Sequence, residues 1–149
     1  MSSKEFVIGD IVRSMDPNFE LVYKSLDDTS PPGVGICGVE DAGGDLIIAD
    51  GTAAQTKRIG VRTSFVDNES GNVGVLQRGY IVQNAGGALS VDAYVKPNAT
   101  GNPVAADPGA IDDREVIYGI VIGMANTNNQ TKRENVIANQ LVIIKVGDF

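Results

Sequence analysis

The chain has 149 residues, with 12 Lys plus Arg against 19 Asp plus Glu, 18 Gly, one Cys, no Trp and no His. That is the length of one domain, enough to bury a core without disulfide or metal staples. The net charge of −7 is spread along the chain with no cationic cluster, which excludes the usual nucleic-acid or anionic-membrane partner.

Residues 1–30 read as an extended arm. Its apolar residues come in short clusters, Phe6, Val7, Ile8 and Ile11, then Phe19, Leu21 and Tyr23, broken by Gly9, Asp16 and Pro17. Such clusters are too short to bury themselves, so the arm is expected to dock on a neighbouring subunit or a larger shell, and a chain lacking it to stay folded. The alternative is that these residues are the first strands of the domain's own sheet. The run Asp27 to Gly33, rich in turn formers and prolines, marks the boundary and leaves 31–149 as the compact domain. Neither a secretion signal at Met1 to Asp10 nor any run of ~20 apolar residues is present, so synthesis in a cytoplasm and no membrane partner are expected.

From Gly35 onward, apolar runs alternate with turn signals at the close spacing of a mostly β fold, a single β-sandwich or β-barrel-like domain. The predicted strands are Gly35–Val39, Asp45–Ala49, Ile59–Val66, Val73–Leu76, Gly79–Gln83, Leu89–Lys96, Glu115–Met124 and Asn135–Val146. Gly43-Gly44, Asp50-Gly51, Asp67 to Asn72 and Asn84 to Gly87 supply turn residues that tolerate positive φ. Leu89 to Lys96 alternates cleanly, with Leu89, Val91, Ala93 and Val95 on one face, and predicts one wet face. Glu115 to Met124 is apolar on both faces, and the last strand raises the same question. A subunit contact through Ile120 and Val121 would cover the second face, and so would an ordinary two-sided core position.

Few residues offer chemistry. Without His the chain lacks the usual general base and the commonest transition-metal ligand, so no Ser-His-Asp or Cys-His arrangement is possible. Gly33 to Gly38 fits G-x-G-x-x-G, but Pro31 and Pro32 stand where a strand should end and Gly43-Gly44 falls where a helix should run. Asp67, Glu69 and Gly71 only loosely match a calcium loop, since Asn72 and Arg78 occupy the positions that need Gly and Glu. Asp112, Asp113 and Glu115 read as a solvated acidic loop whose neighbours point apart in extended chain. Cys37 reads as a small buried hydrophobe. No catalytic residue, cofactor or metal is expected, and the protein is read as a non-enzyme.

One ordered set of segments carries a resemblance. Lys57-Arg58-Ile59-Gly60-Val61-Arg62 is followed by Val75-Leu76-Gln77-Arg78-Gly79-Tyr80-Ile81-Val82, then Leu89 to Lys96, Thr100-Gly101-Asn102-Pro103-Val104 and Tyr118-Gly119-Ile120-Val121-Ile122-Gly123. Over roughly residues 33–146 this resembles the capsid cement or decoration proteins of tailed bacteriophages. The insert Asn126 to Asn135 departs from the simplest members. The resemblance implies a β-rich virion protein on the outer capsid surface, often a trimer, that bridges major capsid subunits. Another virion part, such as a head fibre or tail component, and a small-ligand-binding β-barrel are the competing readings. A homo-oligomer with the major capsid protein as partner is therefore expected, with Phe6, Val7, Ile8, Ile11, Phe19, Leu21, Tyr23, Ile120 and Val121 as its interface.

Overall fold

The computed structural model describes residues 5–52, 55, 58–125 and 131–147. The protein is mostly β. Its elements are β1 Glu20–Lys24, β2 Cys37–Glu40, β3 Leu46–Ile48, β4 Gly60–Val66, β5 Val73–Asn84, β6 Tyr94–Pro97, β7 Pro103–Ala105, the single-turn helix α1 Ile111–Arg114, β8 Gly119–Ala125, β9 Thr131–Lys132 and β10 Leu141–Val146. The strands join in the order β3-β2-β4-β5-β10-β8-β6-β7, with β1 on β5 and β9 on β8, in one antiparallel sheet curled into a half-barrel.

Strand β5 organises the molecule. Its first part pairs with β4 and β1, and its second part, Gly79 to Asn84, pairs with β10. The change of partners falls at Gly79, whose φ of +139° suits glycine, and a Cβ there would lie 2.8 Å from Phe19 Cβ. Two predicted strands, Val73–Leu76 and Gly79–Gln83, are thus one continuous strand. Period-two alternation then sorts the side chains. Ile81 and Ile144 enter the main core with Leu76, Val61, Cys37, Tyr118 and Val121, while Val82 and Ile143 form a second cluster on the other face.

Residues with positive φ shorten other predicted strands. Asp92 has φ +69°, and the Ala93 N–H donates to Ser90 O at 3.1 Å, so Leu89 to Lys96 contains a turn and becomes a strand only at Tyr94. Asn139, also at φ +69°, breaks Asn135–Val146 in the same way. Val136 ahead of it forms an isolated bridge with Leu89.

The extended arm is not confirmed. The Gly9 N–H donates to Val82 O at 2.8 Å, the Val82 N–H to Asp10 O at 2.9 Å and the Val12 N–H to Tyr80 O at 2.8 Å, with Ile11 bridged to Ile81. Strand β1 continues antiparallel along β5 from Glu20 opposite Arg78 to Lys24 opposite Val73. Beyond it Leu26 bridges Leu46, so this segment also meets β3. The expected boundary at residue 31 is crossed by hydrogen bonds from Leu46 N–H to Ser25 O (2.8 Å) and from Ile48 N–H to Ser30 O (3.0 Å). Arg13 lies between the rings of Phe19 and Phe65, 5.4 and 5.6 Å from their centroids, which fastens the bend before β1 to β4.

This placement also answers the question of the two-sided strands. Val12, with Phe6 packed against it, sits on Val82 and Ile143 beside Ile122, Tyr80 and Leu141. Part of the second apolar face of β8 and β10 is covered by the chain's own N-terminal segment.

Candidate functional site

The nine expected interface residues separate into three environments. Val121 is fully buried in the main core, so it is not available to a partner in this conformation. Phe6, Ile11, Phe19, Leu21 and Ile120 are half-buried, the first in the second cluster and the next three against the main core. Val7, Ile8 and Tyr23 remain on the surface, 55%, 39% and 47% exposed.

Val7 and Ile8 belong to an aliphatic patch that the sequence reading did not foresee. Ile8 lies over Gly35 and Val34 lies over Gly9, and a Cβ on either glycine would collide with the facing side chain. Gly9 and Gly35 also have positive φ, +91° and +80° respectively, so the two chain segments interlock through residues that only glycine suits. Val34 is itself exposed, so Val7, Ile8 and Val34 present a patch joined across 26 residues of sequence.

A second apolar feature is a groove of about 410 Å³ bounded by β1, β2, β3 and β5. Val22, Gly38, Val39, Leu46 and Val75 form its apolar lining, and Lys24, Glu40, Arg58 and Gln77 supply its polar edge. Lys24 is ion-paired to Glu40. The Arg58 guanidinium donates to Gln77 O at 3.1 Å.

The buried polar groups are joined to one another. The Tyr118 hydroxyl donates to Gln83 Oε1 at 2.6 Å, and Gln83 Nε2 donates to Gly35 O at 2.9 Å and to Cys37 Sγ at 3.6 Å. Burial pushes the Cys37 thiol up to about 12 and the Tyr118 phenol well above 10. Cys37 is therefore an unreactive thiol at neutral pH. Because the folded state holds these protons longer than the unfolded chain does, their contribution is full below about pH 9 and is lost as pH rises toward 12. Stability should fall by about 1.4 kcal/mol per pH unit from Cys37, with Tyr118 adding to the slope above about pH 10. Denaturant midpoints measured at pH 8, 9.5 and 11 check this, as does a native thiol that labels only on unfolding; a midpoint unchanged at pH 11 would refute it.

Gly33 to Gly38 turns at Gly35 and runs into β2 rather than a helix. Asp67 caps a hairpin turn, accepting from the Ser70 hydroxyl at 2.8 Å, and these hydrogen bonds hold its carboxyl below the usual range. Asp112 and Asp113 stand on α1 rather than in extended chain. Asp113 accepts from the Asp107 N–H at 2.9 Å and pairs with Lys96, and both lower its pKa. The insert from Asn126 lies outside the described residues as far as Gln130.

The sequence reading also missed that Asp27, Asp41 and Asp45 bring carboxylate oxygens within 4.8 Å of one another. Each already accepts hydrogen bonds. Asp27 takes the Thr29 and Ser30 N–H groups, which lower its pKa, Asp41 takes Gly43 and Asp45, and Asp45 takes the Ser25 hydroxyl. The turn residues around 27 and 41 to 45 gave the only hint in the sequence. Comparison with protein-family models and with curated proteins finds no match.

Proposed function

We propose that the protein is a structural component of a tailed-bacteriophage virion, bound to the outer capsid surface, where it stabilises the shell by bridging major capsid subunits. In this reading it acts as a homo-oligomer, a trimer by the resemblance, and carries no catalytic step. The ordered set of strands and turns that resembles capsid decoration proteins supports it. The observation that carries it is the exposed aliphatic patch Val7, Ile8 and Val34 on a domain of net charge −7. A contiguous apolar patch on an otherwise solvated surface marks a contact surface.

Purified protein mixed with shells of major capsid protein alone should co-sediment with them and raise their disassembly temperature. Replacing Val7, the most exposed member of the patch, by Asp should weaken co-sedimentation about tenfold or more while leaving the melt of the free protein cooperative. Wild-type protein that never co-sediments would sink the reading. Native mass spectrometry of the bound protein tests the trimer, and a monomer released under mild conditions counts against it.

A further inference from the structure

We propose that the pocket between the N-terminal segment and β4 binds a small oxyanion, a carboxylate or a phosphate, carried on an apolar group. The pocket has a volume of about 400 Å³ and is lined by Phe6, residues 9–14, Ser64 and Phe65. Most of its polar groups are donors that lack an acceptor. Among the described residues, the Arg13 guanidinium and the hydroxyls of Ser14 and Ser64 make no hydrogen bond or ion pair. The Arg13 and Met15 N–H groups close the turn on Ile11 O and Val12 O, each at 3.2 Å, and the Ser14 N–H between them has no acceptor among the described residues. Four donors on three residues thus line one pocket.

Arg13 is held in place rather than left loose. Its guanidinium carbon lies 5.4 Å from the centroid of Phe19 and 5.6 Å from that of Phe65, and this double ring contact leaves its N–H groups without a chain partner. A guanidinium already fixed by ring contacts loses little further freedom on gripping an oxyanion, whose paired oxygens match its planar fork. Asp10 is the one carboxylate in the lining, and its Oδ2 accepts from the Val7 N–H at 2.9 Å. Its charge opposes an incoming anion and sets the direction of one variant below. The half-buried side chains Phe6, Ile11 and Phe65 form the apolar part of the wall, so a short alkyl chain on the oxyanion is covered as well. The free protein is expected to take this ligand whether or not it attaches to a shell.

The test is an amide NMR titration of the full chain with inorganic phosphate, acetate and hexanoate at constant ionic strength, with chloride as the control. Phosphate or acetate should shift Arg13, Ser14, Ser64 and Phe65 saturably, and hexanoate should bind about fivefold more tightly than acetate. Replacing both exposed serines, Ser14→Ala with Ser64→Ala, should weaken binding about tenfold. Arg13→Lys, which keeps the charge and loses the fork, should weaken it about fivefold. Asp10→Asn, which keeps an acceptor for the Val7 N–H, should tighten it about twofold. Shifts that do not saturate, that chloride reproduces or that lie elsewhere overturn the proposal. So do dissociation constants unchanged in the serine double variant and in Arg13→Lys, and hexanoate binding no tighter than acetate overturns the apolar carrier.

Discussion

Removing residues 1–30 is expected to leave a chain with no cooperative melt, the opposite of what a separable arm would give. The deletion takes away β1, which pairs along Val73 to Arg78, and the segment around Ile11 that hydrogen-bonds to Tyr80 and Val82. One side of the longest strand then loses its partner, and an exposed strand edge is a template for aggregation. It also strips Val12 from Val82 and Ile143 and takes Phe19 and Leu21 off the main core. Each such side chain is worth about 1.5–3 kcal/mol when fully buried, and a domain has only about 5–15 kcal/mol in total. Ordering the segment costs about 1–2 kcal/mol per residue, so its own net contribution is small. The decisive loss is the cover it provides to β5 and β10. Far-UV circular dichroism melts and size-exclusion elution of the truncated chain check this. A soluble truncated chain with a melt close to the full-length protein's would restore the boundary at residue 31.

Why the sequence misled at this point is physical. The apolar clusters at Phe6 and Ile11 had no partner nearby, and the strands carrying Ile122 and Ile143 had one apolar face too many. Each suggested an intermolecular contact when taken alone. They are two halves of one intramolecular contact, separated by more than a hundred residues in the case of Val12 and Ile143, and no local periodicity reports such a pairing. By contrast β2, β3, β4 and the two ends of β5 were legible, because short apolar runs there are closed by glycine- or Asn-rich turns. Asp92 and Asn139 were not. Asp92 sits where a polar residue fits an alternating pattern and Asn139 lies between apolar runs, and only the backbone shows that each turns the chain. The groove was equally hidden, since its lining alternates with core residues on four strands and reads as ordinary strand pattern in each.

Replacing Gln83 by Leu should cost more than its volume suggests, and its double mutant should show why. Gln83 is fully buried on β5 and joins Tyr118, just before β8, to Gly35, just before β2. It is thus a polar tie across the curled sheet, set among apolar side chains where unmet hydrogen bonds are expensive. Leu at 83 would fill most of the space but leave the Gly35 carbonyl without its partner and the Tyr118 hydroxyl with only the weakly bonding Cys37 thiol. At about 1–3 kcal/mol for each underbonded group, the expected loss is about 2–6 kcal/mol. Tyr118→Phe alone orphans only Gln83 Oε1 and should cost about 1–3 kcal/mol. Adding Tyr118→Phe to Gln83→Leu removes the underbonded hydroxyl, so the double variant should be more stable than Gln83→Leu by about 1 kcal/mol. Urea denaturation of the three variants and the wild type gives the cycle directly. If the double variant loses the sum of the two single losses, the groups do not act as one network and the tie assigned to Gln83 is wrong.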